Sequence, residues 1–132
     1  MIPVRQRIQK KPKPTAAEKR EGNSKAHIAL IKQLPCCVTG TRRFVDAHHL
    51  KEGLAHERGI GRKATDRWAV PICREKHEEV ERVGSRNEWA WFKRHGIDDP
   101  LELAAALYRN TGDLERMQRV LEAHMGFARR GQ

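Results

Sequence analysis

Two adjacent imidazoles, His48 and His49, close the short β-prone run FVDAHHL, and a third imidazole, His77, is followed four residues later by the carboxylate of Glu81. His77 and Glu81 lie in the segment REKHEEVERV, which reads as a helix and puts both side chains on one face. Imidazole and carboxylate are side chains that hold divalent ions, and an imidazole of near-neutral pKa can also take a proton from water. A strand ending in His-His beside a helix presenting His-x-x-x-Glu would bring three metal-capable groups together. One imidazole would then be left over as a base.

For these groups to meet, the chain must supply two strands and a helix in the right order. The run 44–50 is the first strand, and WAVPIC at 68–73 is the second, passing without a turn signal into the helix that ends near Val83. Between them KEGLAHERGIGRKATD mixes Gly53, Gly59 and Gly61 with Arg58, Arg62 and Lys63. Such a loop either simply connects the strands or follows a phosphate backbone, since glycine lets the main chain approach and the cations neutralise it. His56 in this loop is not expected to be a ligand.

The flanks read as helices. Residues 1–14 hold Arg5, Arg7, Lys10, Lys11 and Lys13 with three prolines and no acid, the make-up of an extended basic arm that either stays solvated or lies along phosphates. Thr15 to Glu18 has capping-box spacing, and Ser24 can cap a packing helix to about Leu34 that presents Ile28, Ile31 and Leu34. His27 within it reads as an ordinary surface or partly buried histidine. Gly84 reads as a C-cap, and Ser85 to Glu88 repeats the capping-box spacing ahead of a helix with Trp89, Trp91 and Phe92. Trp89 and Trp91 cannot both face inward on one helix. Asp99-Pro100 opens a further helix to about Asn110. Asp113 caps a last one, with Leu114, Met117, Val120, Leu121, His124 and Met125 as its apolar stripe, before a basic tail.

A chain of 132 residues is long enough for one modest core. Its 27 Lys+Arg against 17 Asp+Glu give a formal charge of +10 and a pI near 10.1, which favours a polyanionic partner and DNA first. No apolar run reaches membrane-spanning length and no signal-peptide core is present at the start, so no membrane association and a cytoplasmic location are the expectations. Three cysteines, Cys36, Cys37 and Cys73, are too few for a secreted disulfide framework.

Taken together, Cys36-x-x-Thr39, DAHHL, GRKATD, VPIC, His77-x-x-x-Glu81 and NEWAWFKRHGIDDPLELAAALY resemble an HNH (ββα-metal) endonuclease of the phage type, near the recombination-enhancement nucleases. The resemblance covers roughly residues 34–108 and implies an α+β fold. A small ββα-metal core at 35–110 would be flanked by an arm at 1–14, a helical segment at 15–34, and a C-terminal helix and tail at 111–132.

The resemblance also implies roles. His48 becomes a metal ligand and His49 the general base of a metal-dependent DNA endonuclease, with His77 and Glu81 completing the ligand set. The relatives carry a second histidine where this chain has Glu81, and a carboxylate there favours Mg2+ or Mn2+, with Zn2+ also open. Asp66 supports the base, with Asp46 as a rival for that role. Arg62, Lys63 or Arg67 supplies the cation near the scissile phosphate, and Arg5, Arg7, Lys10, Lys11 and Arg58 add DNA contacts. The structural zinc of related nucleases is expected to be absent, because Thr39 and Lys76 stand where two of its ligands would be, although Cys36, Cys37, Cys73 and a histidine remain an alternative set. The products would carry a 5′-phosphate and a 3′-hydroxyl, in phage or prophage recombination or processing inside a bacterial host, with a recombinase or phage protein as a further partner. A catalytically silent DNA-binding protein of the same fold and a partner-dependent subunit are the alternatives.

Overall fold

Two antiparallel strands, β1 (Val45–His49) and β2 (Ala69–Cys73), form the sheet, in the register Val45↔Cys73 to His49↔Ala69. The computed structural model describes residues 22–54 and 64–126. The arm with Arg5, Arg7, Lys10 and Lys11, the helix start at Thr15, the loop residues His56, Arg58, Arg62 and Lys63, and the basic tail lie outside the described residues. Every residue of β2 is buried, as its unbroken apolar run requires of a strand covered on both faces.

Five α-helices complete the described fold: α1 (Lys25–Ile31), α2 (Arg74–Val83), α3 (Glu88–Arg94), α4 (Pro100–Arg109) and α5 (Leu114–His124). The fold is thus α+β. α2 follows β2 directly and packs on both strands, while α1 and α4 pack on β2 and on the short 3-10 turn Asp66–Trp68 that precedes it. No described helix is long and apolar enough to cross a membrane.

The helix starts follow local chemistry. The Ser24 hydroxyl accepts the His27 N–H, the Asp99 carboxylate accepts the Glu102 N–H, and the Asp113 carboxylate accepts the Arg116 N–H. Each satisfies a donor that the first turn leaves open, worth about 1 kcal/mol. Gly84 ends α2 at φ 85, a left-handed conformation that costs glycine nothing. The expected capping box at Ser85 does not form. Residues Ser85–Asn87 make a 3-10 turn, α3 starts at Glu88 without a side-chain cap, and the Trp89 N–H is taken instead by the Glu52 carboxylate. Glu88 is turned inward, onto His48.

Ile31, Leu50, Ile72, Phe92, Leu107 and Leu121 are among the side chains that close the core. Removing each from water contributes about 1.5–3 kcal/mol. Trp91 is buried and Trp89 exposed, as one helix demands. The stripe of α5 packs on the protein's own core through Met117, Leu121 and Met125. Phe44, just before β1, differs from all of these. It is 68 % exposed and has φ 53, a conformation that costs a non-glycine residue about 1–2 kcal/mol. Its carbonyl accepts the Arg74 N–H at 2.8 Å, which carries the pairing of the two strands one step past Val45↔Cys73.

His27 is wholly buried rather than at the surface. Its Nδ1 lies 2.8 Å from the Thr111 hydroxyl, its ring meets Tyr108 edge-on at 5.0 Å, and its Nε2 has no hydrogen-bond partner. Burial pushes its pKa below the usual imidazole value, and the field of Asp66 offsets this only in part. The unfolded chain, with an ordinary value of about 6.5, takes up a proton that the folded state refuses. Stability from this group is therefore complete above about pH 6.5 and falls as pH drops toward the lowered folded value. Urea unfolding from about pH 7 to about pH 5 should show this as a loss of up to about 1.4 kcal/mol per pH unit. His27→Asn should flatten the decline, and an unchanged slope in that variant would contradict the assignment.

Candidate metal centre

Side chains two apart on a strand share a face, so Asp46 and His48 both point at α2 while His49 points away from it. On α2, His77 and Glu81 are one turn apart and face the strand. The three groups converge: Glu81 Oε1 lies 3.4 Å from His48 Nδ1 and 3.5 Å from His77 Nε2, and the two rings meet edge-on at 5.0 Å. Ligand atoms of His48, His77 and Glu81 all fall within 4.8 Å of one another, and no other described group of three His, Cys, Asp or Glu does so.

Each imidazole is held from behind by a carboxylate. Glu88, 2 % exposed, accepts from His48 Nε2 at 2.8 Å and, through its other oxygen, from the Lys51 and Glu52 backbone N–H groups at 2.8 and 3.0 Å. Burial pushes the Glu88 carboxyl upward, but the His48 bond and the two amides outweigh it and leave the group below the usual carboxylate range. Asp46 does the same for His77, with Oδ2 3.1 Å from Nδ1. Its modest burial is outweighed by His77 and Arg74, so its pKa is also lowered. These contacts assign the proton of each ring to the nitrogen facing the carboxylate and turn the lone pairs of His48 Nδ1 and His77 Nε2 toward Glu81.

The donor set fits a divalent ion. His48 Nδ1 is buried with no hydrogen-bond partner, a cost that a bound cation would remove. Two donors on a tetrahedral ion with bonds of about 2.0–2.1 Å stand about 3.3 Å apart, close to the 3.4 and 3.5 Å that separate Glu81 Oε1 from the two ring nitrogens. Among the described residues Lys51 is the cation bonded to this group, its ammonium on Glu81 Oε2. Burial raises the Glu81 pKa, and the Lys51 ammonium bonded to it outweighs this and brings it below the ordinary value.

His49 stands apart from the triad. Its Nε2 is 2.8 Å from Asp66 Oδ1, on the other side of the strand end. Asp66 is itself fixed: its second oxygen accepts the Ser24 N–H at 2.9 Å and its own N–H goes to the Asn23 side chain. The two candidate carboxylates thus have separate tasks, Asp66 holding His49 and Asp46 holding His77. Arg67 is not at the triad. Its guanidinium lies over the Trp68 and Tyr108 rings at 5.2 and 5.6 Å, with Nε buried.

Glu88 and Lys51 escaped sequence reasoning. Glu88 carried the signature of a capping box, and Lys51 looked like any loop lysine. The three cysteines are buried free thiols. Thr39 sits between two of them, its N–H 3.4 Å from Cys36 Sγ and its hydroxyl 3.9 Å from Cys73 Sγ. Lys76 is bonded to Glu79.

A family model described as "Protein of unknown function (DUF968)" matches residues 8–109. No curated protein and no solved structure matches the chain.

Glu88→Gln should keep the fold while weakening the hold on His48, lowering Zn2+ or Mn2+ affinity about 10- to 100-fold in calorimetric titration. Glu88→Ala should cost about 3–5 kcal/mol of stability by stranding His48 and two amides. Wild-type affinity in Glu88→Gln would show that His48 is not a ligand.

Proposed function

The chain belongs to the DUF968 family, and from that footing we propose that it is a metal-dependent endonuclease that hydrolyses DNA phosphodiester bonds. One observation carries the reading: two imidazoles, each fixed through one nitrogen by a carboxylate, turn their free nitrogens to a third ligand at the end of a strand. The neighbouring His49, with its own carboxylate, supplies the base that hydrolysis requires. The HNH-type resemblance and the +10 charge support DNA as the substrate, and phage or prophage recombination or processing as the setting.

His48, His77 and Glu81 would hold the ion, which when bound would supply a Lewis acid for the phosphate and a counter-charge for the leaving oxygen. With His49 Nε2–H donating to Asp66, Nδ1 carries the lone pair. That nitrogen takes a proton from water as the water oxygen bonds to phosphorus and the P–O3′ bond breaks, the leaving O3′ taking its proton from solvent. Asp66 then stabilises the imidazolium, and Ser24 and Asn23 keep Asp66 in place. Lys51, tethered to Glu81, places a second positive charge where a phosphate approaching the ion would meet it. Two imidazoles and one carboxylate suit Mn2+ or Zn2+ at least as well as Mg2+.

A second reading has its own observation. The Lys51 ammonium already neutralises Glu81, which would let the fold persist as a DNA-binding protein without an ion.

Nicking of supercoiled plasmid separates the two. We expect activity with Mn2+ or Mg2+ and none with chelator. His49→Ala should lower the rate on the order of 100- to 10,000-fold with metal affinity intact, whereas Glu81→Ala should lose both. Salt-sensitive DNA binding without cleavage under any of these ions would favour the silent protein.

A further inference from the structure

Phe44 is the most exposed large apolar side chain among the described residues, and its backbone conformation is unfavourable for any residue with a side chain. A glycine or asparagine at this turn would relieve the conformation, and the ring gains little burial that would offset it. What surrounds the ring is charge. The Arg43 guanidinium lies 5.8 Å and the Arg74 guanidinium 5.9 Å from its centroid. Arg74 also reaches Asp46, the carboxylate behind His77, so the aromatic and the metal centre are joined by one line of contacts. Four residue-to-residue steps of about 3.3 Å each, through Val45, Asp46 and Ala47, separate Phe44 from His48, about 13 Å of extended chain.

We propose that Phe44 is a stacking platform for an unpaired base, with Arg43 and Arg74 on the adjoining phosphates. The strand so held leads toward the His48, His77 and Glu81 centre. The substrate class is therefore single-stranded or locally unpaired DNA, an assignment that rests on the nuclease reading above. An open aromatic face beside cations is the chemistry that grips single strands, because every base has a π-face and every linkage a negative charge. A duplex keeps its base faces inside the stack and offers Phe44 only edges and backbone. Strain at an exposed aromatic with no packing role accords with a functional contact.

The test is fluorescence anisotropy with the full chain in chelator, using a labelled oligo-dT strand and a blunt duplex across a range of salt. Wild type should prefer the single strand. Phe44→Ala should lose on the order of tenfold on that strand, and little on the duplex, with the salt dependence unchanged because no phosphate contact is removed. Phe44→Trp should retain binding. Phe44→Gly supplies the control for folding: it should melt higher than wild type, its turn relieved, yet bind as weakly as Phe44→Ala. Stability and affinity moving in opposite directions would exclude a merely structural role.

Unchanged single-strand affinity in Phe44→Ala and Phe44→Gly overturns the proposal. So does a dimer that Phe44→Ala dissociates while single-strand affinity stays the same, since the ring would then belong to an interface between copies. Plasmid nicking reports separately on the nuclease reading. Failure of nicking with Phe44-dependent binding intact removes the nuclease and leaves the platform, whereas normal nicking with Phe44-independent binding removes the platform alone.

Discussion

A buried carboxylate beside a buried imidazole is the constraint on which the rest of this structure depends. Glu88 and His48 are both almost fully removed from water, and neither could remain so without the other. The same carboxylate accepts the backbone amides of Lys51 and Glu52, so the end of β1, the turn after it and the start of α3 meet at one side chain. Glu52 returns the contact by accepting the Trp89 amide in the first turn of α3. Orientation of one ring is thereby shared among three segments of chain. The ring's remaining nitrogen, left without a partner, faces the only cluster of metal-capable side chains among the described residues.

Much of this was legible in the sequence because it depends on local periodicity. The α2 segment follows from REKHEEVERV, β2 from an unbroken apolar run, and the starts of α1, α4 and α5 from Ser24, Asp99 and Asp113. The meeting of His48, His77 and Glu81 needs only the alternation of a strand and the turn of a helix, and both were readable. Long-range partners were not. Serine followed three residues later by glutamate is a capping signature, and nothing local reveals that Glu88 is drawn forty residues back to His48. The burial of His27 beside Tyr108 and Thr111 likewise depends on how α1 lies against the end of α4. Arg67 read as a free cation until the Trp68 and Tyr108 rings were found beneath it.

The cysteine turn is held by donors aimed at sulfur. The Cys36 sulfur is buried, which raises its pKa, yet the Thr39 side chain and neighbouring backbone amides prevail and hold it below the usual thiol value. Cys37 has no comparable donors, and burial together with the nearby Cys36 pushes its thiol well up. Thr39 links the two outer cysteines through weak contacts to sulfur, so this corner of the core is joined by hydrogen bonds from a hydroxyl and an amide.

The register of β1 carries chemical meaning beyond its packing. Neighbouring strand residues face opposite ways, so sliding β1 by one position could bring the half-buried His49 into the place of His48 against Glu88, while His48 would turn to the opposite face at the place of Ala47 and miss Asp66. Sequence identity would survive such a slip while the arrangement of protons and lone pairs would not. The phase of the strand is pinned at both ends, by the Leu50 amide on the Trp68 carbonyl and by the Phe44 carbonyl on the Arg74 amide. The left-handed bend at Phe44 is thus also a phase lock: it interrupts the extended backbone where the pairing with Arg74 begins. Inserting or deleting a single residue between Phe44 and His49 would leave a strand of nearly the same length and composition with each histidine turned to the face the other now occupies.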